Sequence, residues 1–218
     1  MISKKKLLKG WKIYAVLDDD LFPDRRDLFR KFLALVKSPV DAVQLRFKDV
    51  SDTSLYDLAK RISEIGRAKN LPVIINDRPD MVLALGCSGV HLGKGDISAG
   101  LARRILGENA IIGRTVRDIE DIRSLKKKDV DYVSIGPVYR TPLKPYLKTV
   151  SRFRLREVCE KSSLPVVAIG GINSGNAREL AGCGVKTVAF VRYGIAEKNT
   201  REKIEKLRKI MDTIGVSL

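Results

Sequence analysis

The chain has 218 residues, 44% of them hydrophobic, and its 42 Lys and Arg against 26 Asp and Glu give a formal charge of +16. That length permits one large domain or two small ones, with apolar content enough for a sizeable core. No run nears the ~20 apolar residues of a membrane span, no signal-peptide core follows the basic start, and three scattered cysteines without CxxC spacing exclude a disulfide framework or structural zinc.

A short basic extension, about residues 1–10 with "SKKKLLKG", precedes the first apolar burst, "KIYAVLD" (12–18). "AVQLRF" (42–47) follows, then "SLYDLAKRISEIGRA" (54–68), where Leu55, Leu58, Ile62 and Ile65 recur at helical spacing. "PVIIND" (72–77), "GVHLG" (89–93) and "AIIGRT" (110–115) are the next bursts, and "DIEDIRSLKKK" (118–128) puts Ile119, Ile122 and Leu125 on one helical face. "YVSIGPV" (132–138) leads into the proline-rich loop "GPVYRTPLKP" (136–145). "PVVAIGG" (165–171), the helical "NARELAGCG" (176–184), "TVAFVRY" (187–193) and the helical "REKIEKLRKIMDTIG" (201–215) complete the series. The bursts are short, rich in β-branched residues and bounded by Gly, Pro, Asn or Asp, as strands buried on both faces are. Eight such bursts alternating with helical patterns predict an α/β fold, a single (β/α)8 TIM barrel over residues 1–218. The competing doubly wound sheet wants a glycine-rich turn after its first strand, and "LDDDLFPDR" offers none.

In such a barrel the active site lies at the C-terminal ends of the strands. Polar residues collect there: Arg46 and Lys48 after the second strand, Asn76 and Asp77 after the third, Asp96 after the fourth, Thr115 on the fifth, Thr141 and Lys144 after the sixth. Asp77 and Asp96, from neighbouring strands, suit Mg2+, a hard cation that keeps waters and takes one or two carboxylates. They equally suit a helix cap and a turn. His91 reads as a hydrogen-bonded barrel histidine rather than a catalyst. Gly170 and Gly171 end the seventh strand ahead of a helix expected from Ser174, where backbone N–H groups can cradle a phosphate. The 136–145 loop reads as a lid over anions.

The basic residues are spread along the chain and aromatics are only 6%. That distribution argues against nucleic acid as the main partner and favours small anionic ligands. The composition also fits a reducing, cytoplasmic setting, with a homo-oligomer as one open arrangement.

"VQLRFKD", "INDRPDMVLALGCSGVHLGKGD", "IGPVYRTPLKP" and "PVVAIGGIN" resemble, in order and spacing, the motifs of thiamine phosphate synthases and their TenI-type relatives, a match running from Tyr14 to Gly194. The resemblance implies a transferase joining a pyrimidine pyrophosphate to a thiazole phosphate with release of pyrophosphate. By the same resemblance Gln44, Arg46, Lys48 and Asn76 hold the pyrimidine pyrophosphate, and Asp77 and Asp96 hold Mg2+. It further puts Thr115 near the pyrophosphate, Thr141 and Lys144 at the reacting groups, and the Gly171 backbone at the thiazole phosphate. Three positions depart from the pattern. Arg117 replaces a histidine that tautomerases of the TenI type use as a base, Ser151 stands near a usual glycine, and Arg192 replaces a small residue, either gripping a phosphate or filling its space. A thiazole tautomerase and a non-catalytic, ligand-sensing barrel are the alternative readings.

Overall fold

In the computed structural model, which describes residues 4–47, 52–143 and 145–214, eight parallel strands close into a barrel in chain order. They are β1 (Ile13–Asp18), β2 (Ala42–Arg46), β3 (Val73–Asn76), β4 (Gly89–Leu92), β5 (Ile111–Val116), β6 (Tyr132–Ile135), β7 (Val166–Ile169) and β8 (Thr187–Phe190). Seven fall inside an expected burst, β5 runs one residue past its burst to Val116, and β8 returns to pair with β1.

The helices α2 (Arg25–Val36), α3 (Asp52–Ala68), α4 (Pro79–Leu85), α5 (Ala99–Leu106), α6 (Ile119–Arg123), α7 (Arg152–Lys161) and α8 (Thr200–Ile214) surround it. Strand alternation divides the apolar residues into two cores. Ile13, Ala15 and Leu17 face outward and pack with helix residues such as Leu28, Phe32, Ile204 and Leu207. Tyr14, Ala42, Ile74, Ile111, Tyr132, Val167 and Ala189 face inward and fill the lower barrel. Burying each such large side chain is worth about 1.5–3 kcal/mol.

The lower end is plugged from within the stretch read as a basic extension. Helix α1 (Lys4–Lys9) brings Leu8 to the inner core, and Trp11 behind it packs on Tyr14 and Tyr132 with ring centroids 5.4 and 5.8 Å away. Lys4 fastens the helix by an ion pair of 2.8 Å to Asp131. Asp131 in turn accepts from Arg103 at 2.7 Å and from the Ile112 N–H at 2.8 Å. Asp41 repeats the device below β1, accepting from the N–H groups of Lys12 and Ile13 and from Arg208. These half-buried carboxylates satisfy strand-end donors that have no ladder partner.

Two helical expectations change. The helix expected over 118–128 stops at Arg123, because the Ser124 hydroxyl bonds back to the Asp121 carbonyl at 2.7 Å and three lysines follow. The helix expected from Ser174 begins only at Ala177, as a 3-10 helix to Cys183. Asn173 and Asn176 explain it: their side-chain oxygens accept from the N–H groups of Gly175 (2.7 Å) and Asn173 (2.9 Å), offering the backbone a turn instead of a helix.

Candidate active site

A cavity of about 680 Å³ opens at the C-terminal ends of the strands. Gln44, Arg46, Asn76, Asp77, Asp96, Thr115, Thr141, Gly171 and Arg192 all line it. Lys48 and Lys144 lie outside the described residues. Parity explains the convergence. Gln44 and Arg46 on β2, Asn76 on β3, His91 on β4, Thr115 on β5 and Ser134 on β6 share the inward parity of the inner core and lie above it, so five short strands deliver polar groups to one mouth.

The floor is a continuous hydrogen-bonded layer. Gln44 Nε2 donates to the Tyr14 hydroxyl at 2.9 Å, the Tyr14 and Tyr132 hydroxyls are 3.0 Å apart, and Tyr132 meets His91 Nδ1 at 3.0 Å. On its other side His91 Nε2 meets Thr115 Oγ1 at 3.0 Å and Ser134 Oγ at 3.2 Å. His91 is thus the bonded barrel histidine that its setting suggested. Burial pushes both phenols well above the ordinary tyrosine pKa, so they remain hydroxyl donors.

At the rim, Arg46 is paired with Asp18 and lies 3.9 Å from Asp20. Asp18 and Arg46 are register partners on β1 and β2. The second Asp18 oxygen, Oδ1, is buried without a hydrogen-bond partner. Burial raises the Asp18 pKa, against the pull of Arg46. Asp18, Asp19 and Asp20 offer carboxylate oxygens within 4.8 Å of one another, but with Arg46 already on Asp18 this triplet is partly neutralised.

Asp77 does not cap α4; the residue at that position is Arg78, and Asp77 takes a left-handed backbone with φ of +63°. A non-glycine residue there is held by its surroundings at some strain. The hold is its N–H on the His91 carbonyl at 2.8 Å, which ties the end of β3 to β4. Asp96 closes the turn after β4, its Oδ2 accepting from the Gly93 N–H at 2.5 Å. Asp77 and Asp96 follow adjacent strands, so both line the cavity from one side of the rim.

Opposite, Gly171 has φ of +66°, and a Cβ on it would come within 2.7 Å of the Arg140 carbonyl and Tyr139 Cβ. The glycine is thus required by the packing of the 136–150 loop against the β7 end as much as by any anion. Thr141 accepts loosely from the Leu143 N–H at 3.4 Å. Ser151, at the departure from the family glycine, caps α7 by accepting from Arg154 N–H at 3.3 Å. Arg117 donates to the Gly136 carbonyl at 3.3 Å, and Arg192 is exposed at the rim rather than filling the cavity.

Tyr14, Asp18, Tyr132 and Ser134 were not anticipated. Their signal was available only as inward parity, once it is known which face of each strand looks into the barrel.

Residues 13–193 match the family described as thiamine monophosphate synthase. A thiamine-phosphate synthase of Caldanaerobacter subterraneus subsp. tengcongensis is 35% identical over 207 residues, covering 93% of this chain and 96% of that protein. One from Ruminiclostridium cellulolyticum is 38% identical over 200 residues, covering 92% and 95%. The solved structure of a thiamine phosphate pyrophosphorylase from Pyrococcus furiosus superimposes with a TM-score of 0.83 at 31% identity, covering 95% of this chain and 98% of that one. With its barrel and the match spanning β1 to the end of β8, the chain belongs to the thiamine monophosphate synthase family.

Proposed function

We propose that this chain is a Mg2+-dependent thiamine phosphate synthase, joining 4-amino-2-methyl-5-hydroxymethylpyrimidine pyrophosphate to thiazole phosphate with release of pyrophosphate. The observation that carries the reading is a single cavity lined by Asp77, Asp96, Arg46 and Gly171, in a chain of this family. The bond from the pyrimidine methylene carbon to the pyrophosphate oxygen breaks, its electron pair leaving with pyrophosphate. The thiazole nitrogen lone pair forms the new carbon–nitrogen bond.

Negative charge grows on the departing pyrophosphate, so catalysis is mainly electrostatic. Arg46, Lys48 and Lys144 would stabilise that charge, with Gln44 and Asn76 orienting the pyrimidine half and Thr115 and Thr141 donating hydroxyls. Gly171 and Arg192 face the second phosphate. Asp77 and Asp96 are the oxygen donors that suit Mg2+, which when bound supplies positive charge to the leaving group. No strong base is needed, consistent with a histidine whose ring nitrogens are both engaged. Arg117 cannot accept a proton at neutral pH, which weighs against a tautomerase.

Purified protein given Mg2+ and both substrates should release pyrophosphate, and chelation should stop it until Mg2+ is restored. Asp77→Asn or Asp96→Asn should lower kcat by at least about a hundredfold. Thiazole phosphate binding without any turnover would instead establish a ligand-sensing barrel.

A further inference from the structure

The hydrogen bonds under the cavity have a direction, and it follows from what each group can do. An amide nitrogen only donates, so the Tyr14 oxygen accepts from Gln44 Nε2. Tyr14 is 2% exposed and its hydroxyl hydrogen needs an acceptor, which Tyr132 supplies at 3.0 Å. Tyr132, fully buried, then has one hydrogen left, and His91 Nδ1 lies 3.0 Å away to take it. A ring nitrogen that accepts carries no proton, so the imidazole hydrogen sits on Nε2. That hydrogen points to Thr115 Oγ1 at 3.0 Å, with Ser134 Oγ next at 3.2 Å. The reverse assignment at the two tyrosines would leave the Tyr14 hydroxyl hydrogen, on a residue 2% exposed, without a protein acceptor.

Thr115 is therefore an acceptor on its inner side. Its hydrogen bond to Ser134 is long, at 3.4 Å, and Thr115 itself is partly open to the cavity. We propose that His91 is a positioning residue, locked as the Nε2–H tautomer by the Gln44–Tyr14–Tyr132 chain, so that Thr115 turns its own hydroxyl hydrogen outward to an anionic oxygen in the cavity. In the synthase reading, on which this last step rests, that oxygen belongs to the pyrophosphate. His91 touches no substrate; it acts through Thr115.

His91 is the single histidine of the chain, so nitrogen-15 labelling of histidine gives one ring to observe without assignment. Ligand-free protein, recorded above the ordinary histidine titration range, should show the proton on the nitrogen coupled to both ring hydrogens, Nε2. A proton on Nδ1, or an equal mixture, overturns the proposal. Tyr132→Phe removes the donor to Nδ1 and should shift the ring toward Nδ1–H; an unchanged tautomer overturns the wiring. In turnover, His91→Leu should lower kcat/KM for the pyrimidine pyrophosphate roughly ten- to hundredfold, the worth of one hydrogen bond to a charged group. His91→Gln, which keeps an N–H near the Nε2 position, should recover most of it. In a Thr115→Val background His91→Leu should cost nothing further, whereas additive losses would assign His91 to packing alone. If wild-type protein shows no turnover, the synthase reading fails, while the tautomer measurements still decide the direction of the chain. They also decide it if His91→Leu does not fold.

Discussion

Asp18 holds Arg46 through one oxygen and leaves the other buried without a partner, so its carboxylate is both used and penalised. Burial wins, and the Asp18 pKa is raised above the ordinary aspartate value. The folded protein then keeps a proton over a range where the unfolded chain has released it. The stability this gives is complete below the ordinary aspartate range, near about pH 4, and is lost as pH rises through the raised value. Wild type should therefore lose stability relative to Asp18→Asn across that window, read as the gap between urea midpoints at successive pH values. A gap moving the opposite way would mean that Arg46 outweighs burial. None of this was legible in "LDDD": the pairing depends on Asp18 lying opposite Arg46 in the β1–β2 register. Arg46, Asn76, Asp77 and Asp96 were legible because each sits at or just past the end of an apolar burst, where strand ends must lie.

Helix α1 shows what an element can hide. "SKKKLLKG" reads as a charged tail, yet Leu8 is 3% exposed and Trp11 2% exposed, closing the barrel below Tyr14 and Tyr132. Two apolar residues among lysines carry no periodic signal over so short a helix. Trp11→Ala should destabilise the protein by about 3–5 kcal/mol in thermal or urea unfolding. Trp11→Phe should cost much less, since it also removes a buried indole N–H that lacks a partner. Equal losses for the two would show that the ring's packing is not what closes the barrel. The 3-10 helix at Ala177–Cys183 is the converse case, where asparagine side chains decided against the helix that apolar spacing suggested.

At the scale of the whole molecule the charge of +16 remains a field, not a site. Basic side chains spread over a barrel raise the local concentration of anionic ligands at any mouth they surround. The screening length is about 10 Å at 0.1 M salt and about 3 Å at 1 M. The kcat/KM for the pyrophosphate substrate should accordingly fall as ionic strength rises at constant free Mg2+, with kcat little changed. A flat response would confine the charge to solubility. No helix among the described residues is long and apolar enough to cross a membrane.

The eight strands, their parallel closure into a barrel and the end at which polar residues gather are legible in the residue pattern alone. Short apolar runs and their ends are local properties of the chain, and the number of bursts constrains how they can close. Which groups touch is set by the tertiary structure: Asp18 on Arg46, Asp77 strained against the His91 carbonyl, and the hydrogen-bonded chain from Gln44 to Thr115. Those contacts join residues separated by up to 118 positions, as Tyr14 and Tyr132 are. They exist because barrel closure sets the register between strands, and no pattern within a single strand contains that register.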